Sequence, residues 1–270
     1  QIFTFWVAIP PRTIFKNIME LPPAHYLIVK DGRIDIKRYW DLKFPEEGEY
    51  TNLPEEYYAE KLEELLIDST RLQLRSDVPV GAYLSGGLDS SITTALIKKY
   101  TTSPLKTFSV AFEDKAYDES SFQKSLVNHL NTDHKEVICK YTDIAKVFPD
   151  VIWHTEKPIL RTAPAPLYLL SKLVRDSGIK VVLTGEGADE VLAGYDIFKE
   201  AKIRRFWAKM PDSKLRPTLL RRLYPYIPAL QTQSKFYLEA FFNAGTSELS
   251  DEFFSHLPRW NTTAKIKEFF

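Results

Sequence analysis

Between Val78 and Thr184, short β-prone apolar runs alternate with segments of helical periodicity, and this alternation constrains the chain more than any other feature. Residues 78–84 read as a buried strand, 90–100 as a helix, 105–112 as a strand and 134–139 as another. The helix expected between the last two, 119–130, would turn Phe122, Leu126, Val127 and Leu130 inward. Helices are expected over 142–153 and 166–176, the second closed by Ser177-Gly178, before a strand over 179–184. Strands that alternate with helices need crossover connections, so the expected fold class is α/β, a parallel sheet that binds ligands at its carboxyl edge.

The first of these strands runs into Ser85-Gly86-Gly87-Leu88-Asp89-Ser90-Ser91, with Ser90 opening a helix. Two glycines let the backbone turn tightly and approach a ligand, and exposed N–H groups at a helix start favour phosphate oxygens. The hydroxyls of Ser90 and Ser91 add donors. Asp89 is wrong for direct phosphate contact, because like charges repel; its carboxylate implies a divalent cation, and magnesium suits that place. GxxxxGK[ST] is absent, so this is not a Walker loop, and the bland alternative is a helix-capping turn. About one hundred residues on, Thr184-Gly185-Glu186-Gly187-Ala188-Asp189-Glu190 crowds three carboxylates into one turn, which a cation or a basic substrate would offset. Glu190 stands where GxGxxG needs its last glycine, which disfavours a dinucleotide fold; the plain alternative is an acidic loop capping a helix over 188–195.

Composition removes several other classes. The 36 basic and 36 acidic side chains cancel, so nothing overall favours a polyanion and no nucleic-acid partner is expected. Cys139 is the single cysteine, which excludes an intramolecular disulfide framework and CxxC metal or redox sites. The apolar opening, residues 2–9, lacks a basic flank and ends in Pro10-Pro11, so neither a signal peptide nor a membrane span is expected, and the expected location is cytoplasmic. Within the first fifty residues, 3–9, 25–30 and 33–39 are β-prone, with Asp31-Gly32 as a hairpin turn between the last two. Residues 1–53 are expected to be the end of an upstream domain plus a linker, and 54–270 the main domain, which opens with a helix of about five turns carrying Tyr58, Leu62, Leu65, Leu66 and Leu72 on one face. Beyond Tyr195, Lys199, Lys202, Arg204, Arg205, Lys209, Arg216, Arg221 and Arg222 are read as solvated basic faces of amphipathic helices. Asp118 is expected to cap the helix that follows it, His134 and His154 to be structural, and Cys139 to be a buried apolar residue.

The Ser85–Ser91 loop resembles the PP-loop of the ATP pyrophosphatase superfamily, and its pairing with TGEGADE resembles the synthetase domain of glutamine-hydrolysing asparagine synthetases. The resemblance runs from about Thr13 to Tyr195 and takes in Thr13-Ile14-Phe15, Leu21-Pro22-Pro23, Arg38-Tyr39-Trp40-Asp41, Phe108-Ser109-Val110-Ala111-Phe112 and Tyr117-Asp118-Glu119. It implies an adenine nucleotide alpha hydrolase-like domain preceded by the β-rich end of a glutaminase domain. It also implies that ATP activates the side-chain carboxylate of aspartate as an acyl-adenylate, releasing pyrophosphate, and that glutamine-derived ammonia then gives asparagine and AMP. Asp89 and Asp189 match magnesium-holding aspartates, and Ser85, Gly86, Gly87, Ser90 and Ser91 match the pyrophosphate cradle. Leu84, Val110 and Gly185 match positions that hold adenosine mainly through backbone groups, and Tyr195 a residue near the nucleotide. Glu186 matches a carboxylate at the adenylate, placed for proton handling, while Arg161 either meets the carboxylates of aspartate or is a surface arginine. The family's amino-terminal cysteine nucleophile is missing at Gln1, and no position before Phe270 matches its phosphate-contacting lysine, so truncation at both ends is expected. Two other readings stay open: a related amidotransferase acting on a different carboxylate, and a non-catalytic nucleotide-binding module. A homodimer is compatible with all three.

Overall fold

The structure is a computed structural model that describes every residue except 47, 102–103, 115–117, 244 and 270. Tyr117, part of the expected family pattern, therefore lies outside the described residues. The chain forms two compact units, one of residues Ala8–Glu186 and one of Gln1–Val7 with Gly187–Phe270.

The first unit is built on a four-stranded parallel sheet of β3 (Val80–Tyr83), β4 (Lys106–Phe112), β5 (Asp133–Cys139) and β6 (Val181–Leu183), in the order β5-β4-β3-β6. The chain lays down β3, β4 and β5 side by side and then returns to place β6 on the free edge of β3. That reversal is a topological switch point, where the loops leaving neighbouring strands diverge and open a crevice at the carboxyl edge. Phe108 on one face of the sheet packs with Leu170, Val174 and Ile179 from α6 (Pro164–Asp176) and the turn after it, while Ala82 on the other face packs with Leu105 and with Ile97 of α3 (Leu88–Tyr100). Alternation along β3 and β4 thus serves both layers, as expected of a covered parallel sheet.

The helix between β4 and β5, α4 (Ser120–Leu130), departs from expectation in one respect. Phe122 is 68% exposed, and Gln123, one position round the helix, is the residue turned into the sheet, at 2% exposure. Asp118 caps from just outside this helix: Glu119 is the N-cap residue, and Asp118 accepts from Ser120 N–H at 3.3 Å and from the Ser120 hydroxyl at 2.8 Å. Those hydrogen bonds hold its carboxyl below the ordinary range. His134 is held between hydroxyls, Nδ1 at 2.9 Å from Thr107 Oγ1 and Nε2 at 3.1 Å from Ser109 Oγ, and burial lowers its pKa. Cys139 is buried, which raises its thiol pKa and suits a small apolar role.

The hairpin of β1 (His25–Lys30) and β2 (Arg33–Arg38) is antiparallel, with Asp31 and Gly32 both at positive φ, as a type I′ turn demands. Helix α2 (Glu55–Gln73) has the expected five turns, but Tyr58, Leu62, Leu65, Leu66 and Leu72 remain exposed.

The second unit corrects two expectations. Residues 3–9 do not form a strand: α1 (Ile2–Phe5) is a single helical turn, ended by Trp6 at φ +63°. With no strand beside it, this segment docks on α11 (Leu257–Ala264), Phe5 meeting Trp260 edge-on at 4.8 Å and Thr263 Oγ1 donating to the Thr4 carbonyl at 2.8 Å. On α8 (Asp196–Ala208), Lys199, Lys202 and Arg205 are solvated as expected, but Arg204 is wholly buried. Its guanidinium donates to the carbonyls of Phe242 and Phe254, both at 2.9 Å, and lies 3.7 Å from the buried Glu200 carboxylate. No helix among the described residues is long and apolar enough to cross a membrane.

Candidate active site

Strand β3 ends at Tyr83, and Leu84 continues it by donating its N–H to the Phe108 carbonyl at 2.9 Å. The chain then bends at Gly86, whose φ of +87° is costly for any residue with a Cβ, and enters α3 at Leu88. The bend is held by its own serines. Ser90, 7% exposed, accepts from Ser85 N–H at 3.2 Å, its Oγ lies 2.9 Å from Ser85 Oγ, and it donates to the Gly87 carbonyl at 3.2 Å. Ser91 Oγ donates to the same carbonyl at 2.6 Å. The intrahelical ladder begins with Ser91 N–H donating to Gly87, so the preceding amides of the first turn stand upstream of it, at the positive end of the helix dipole. Asp89 sits in that turn.

From the neighbouring strand β6 the chain passes through Thr184 to Gly185, whose backbone lies directly against the start of α3. A Cβ at Gly185 would stand 2.8 Å from Ser90 N and 2.9 Å from both the carbonyl carbon and the Cβ of Asp89. The glycine is needed here for space, since two main chains touch. Glu186 follows, exposed, with its N–H 3.4 Å from Thr184 Oγ1. At the carboxyl edge Gly185 thus meets Asp89 and Ser90 of the bend that runs from Ser85 through Gly86 and Gly87 to Ser91, with Leu84 leading into that bend, Val110 on the neighbouring strand β4 and Glu186 next after Gly185. Arg161 is exposed in the connection between α5 (Tyr141–Thr155) and α6.

Asp189 and Tyr195 belong to the other unit. Asp189 is in the first turn of α7 (Ala188–Leu192), shorter than the expected helix because Ala193 turns left-handed at φ +57°. A Cβ at Gly194 would collide with its Oδ1, so its carboxylate rests on bare backbone. Tyr195 donates its hydroxyl to Glu190 Oε1 at 2.9 Å. A cavity of about 230 Å³ lies elsewhere, lined by Thr13, Ile14, Phe15, Met19, Glu20 and Lys157, and no expected site residue contributes to it.

Among the described residues, no three His, Cys, Asp or Glu side chains are grouped to hold a metal by themselves. Magnesium does not require such a group: it commonly takes one or two carboxylates and completes its shell with substrate phosphates and water. Asp89, at a helix start that itself favours phosphate, fits that donor set.

The family model for asparagine synthase matches residues 61–268. The chain belongs to the asparagine synthase family. The match continues well past Tyr195, where motif resemblance ends, so the carboxyl-terminal helices are part of the family domain. An amidase, chyE, of Penicillium rubens is 35% identical over 71% of this chain and 31% of its own length. Asparagine synthetase 1 of Bacillus subtilis is 32% identical over 82% of this chain and 34% of its own, and asparagine synthetase B of Escherichia coli 31% identical over 84% and 42%. The chain thus spans well under half the length of these relatives. A solved NH3-dependent NAD synthetase from Campylobacter jejuni aligns with a TM-score of 0.37 and 18% identity, covering 70% of this chain and 96% of that one. At that score the likeness does not carry the fold, which the parallel sheet itself establishes.

Gln123 was hidden from sequence reasoning. It sits beneath the first loop, donating from Nε2 to the carbonyls of Ser85 and Val110. A glutamine at a core-facing helix position was the available signal, obscured by the neighbouring Phe122.

Proposed function

We propose that the domain is an ATP-dependent amide-forming ligase that adenylates the side-chain carboxylate of aspartate and passes the acyl group to ammonia. The observation that carries this reading is the seating of Gly185 on Asp89 and Ser90, which makes one crevice of two loops about a hundred residues apart. In the first step a carboxylate oxygen of aspartate attacks the α-phosphorus of ATP and pyrophosphate leaves. In the second, ammonia attacks the acyl carbon, AMP departs, and the proton shed by nitrogen goes to a base, for which Glu186 is the assigned carboxylate. The amides and hydroxyls of Ser85 to Ser91 orient the phosphates, while Leu84, Val110 and Gly185 hold adenosine through backbone. Asp89 and Asp189 would hold magnesium, which when bound would neutralise charge on the departing pyrophosphate. Tyr195 is assigned near the nucleotide, and Arg161 to the carboxylates of aspartate. Positioning and electrostatics suffice for both steps, with no covalent nucleophile.

In the same reading, residues 1–53 are the end of a glutaminase domain and its linker, and 54–270 the synthetase domain. The family also has members named amidases, chyE among them, which favours one alternative: the same nucleotide chemistry applied to another carboxylate. Incubation with ATP, magnesium, aspartate and ammonia should yield pyrophosphate and asparagine. Pyrophosphate only with another acid favours the alternative, and ADP with phosphate contradicts both.

Gly185→Ala tests the crevice. Its methyl must push apart two backbones in contact, and overpacking of this kind costs about 1–3 kcal/mol, so ATP affinity is expected to fall about tenfold or more. Undiminished binding, measured calorimetrically, would remove the second loop from the nucleotide site.

A further inference from the structure

Gln123 is 2% exposed and faces the sheet from α4. Its Nε2 donates to the Ser85 carbonyl at 3.2 Å and to the Val110 carbonyl at 3.1 Å. These carbonyls lie on different parts of the proposed nucleotide site, one opening the phosphate loop and the other on the strand assigned to adenosine. The amide orientation is determined by chemistry: reversed, it would set Oε1 against two carbonyl oxygens, neither of which can donate. The Gly86 bend presses on the same residue, since a Cβ there would lie 3.2 Å from Gln123 N and 3.3 Å from its Cγ. Gln123 Oε1 is buried without a hydrogen-bond partner among the described residues. An apolar side chain would fill this position without that desolvation penalty. What the amide adds is a tie between the ends of two neighbouring strands, just beyond the point where Leu84 N–H donates to the Phe108 carbonyl.

We propose that Gln123 is a positioning residue for the nucleotide, resting on the reading above: it sets the spacing between the Ser85 loop and Val110, and so makes the phosphate and adenosine subsites fit one molecule. It touches no reacting atom. The spacing should therefore matter for ATP, which spans both subsites, and much less for pyrophosphate, which needs only the loop.

The test compares the parent protein with Gln123→Met, which keeps the volume and loses the donors, and Gln123→Glu, which sets a carboxylate against two carbonyls. With magnesium present, ATP affinity should fall about tenfold or more in both, corresponding to loss of one or two buried donors, while pyrophosphate affinity changes much less. Parental ATP affinity in either variant overturns the proposal, as does an equal loss for ATP and pyrophosphate, the mark of general loosening. Should the parent itself fail to bind ATP, the nucleotide reading is what fails. Should neither variant fold, the parent with 15N-labelled glutamine still decides. Its Gln123 side-chain amide signals should shift as ATP is added and stay still with magnesium alone, and signals unmoved by ATP overturn the proposal.

Discussion

Glu200→Ala is expected to destabilise the unit formed by residues 1–7 and 187–270 by about 3–5 kcal/mol, the usual cost of stripping one partner from a buried ion pair. Glu200 and Arg204 are both fully buried. The carboxylate accepts from the Tyr224 hydroxyl at 2.6 Å and from both terminal nitrogens of Arg259, at 3.2 and 2.8 Å. Burial first, and then the bond to Glu200, raises the Tyr224 pKa, so the phenol remains a donor throughout the neutral range. Removing the carboxylate takes a buried anion from 3.7 Å beside the Arg204 cation, while its bonds to the carbonyls of Phe242 and Phe254 remain. Burial already lowers the Arg204 pKa, in the direction a desolvated cation should move. A urea titration followed by the fluorescence of buried Trp207 reports the loss. Glu200→Gln, which keeps the shape and one acceptor, should fall between parent and Glu200→Ala. Joint replacement of Glu200 and Arg204 by leucine should recover part of the deficit, since neither charge is then left alone. An effect of Glu200→Ala below about 1 kcal/mol would mean water reaches the pair, as at a surface ion pair.

This network also marks where the sequence stops being readable. Strands and glycine bends are local features: the apolar runs of β3 to β6, the Asp31-Gly32 turn and the Gly86 bend each follow from a few adjacent residues. Arg204 is different, because its acceptors stand 38 and 50 residues further along, and a lone arginine in a basic stretch resembles a solvated one. The same holds for the core of Leu220, Leu223, Leu238 and Phe242, assembled from a 3₁₀ turn (Arg216–Arg222), its following residues and the two-turn helix α10 (Lys235–Phe242), elements too short to show a period. On α4 the period was legible, and Leu126, Val127 and Leu130 are partly buried as expected; only at the first inward position does Gln123 take the place expected of Phe122. The phenyl ring of Phe122 has more apolar surface to bury, but the Gln123 amide has two carbonyls within reach, and rotating the helix to bury Phe122 would forgo both of those bonds. The two glycine-bearing loops could be recognised singly from their residues; their adjacency depends on β6 returning to the free edge of β3, a choice of strand order that no local pattern encodes.

That adjacency bears most on Asp89. Asp89→Ala is expected to reduce magnesium-dependent pyrophosphate release about a hundredfold to a thousandfold, the scale on which loss of a charge-stabilising group lowers turnover. A carboxylate among groups that attract phosphate opposes nucleotide binding unless a cation lies between them, so a metal-holding role for Asp89 makes nucleotide binding at the first turn of α3 depend on magnesium. The alternative role, complementing the helix dipole, is worth about 0.3–1 kcal/mol and would show in stability with little effect on turnover. The two roles therefore separate by measurement. If Asp89 holds the metal, Asp89→Asn should fail as badly as alanine, because an amide is neutral at every accessible pH, and the magnesium concentration for half-maximal rate should rise in any variant with residual activity. Should Asp89 merely complement the helix dipole, Asp89→Asn should lose about 0.3–1 kcal/mol of stability and retain the parental rate. Asp189→Ala carries the same expectation from the other loop, and parental pyrophosphate release in either alanine variant would remove that residue from the metal.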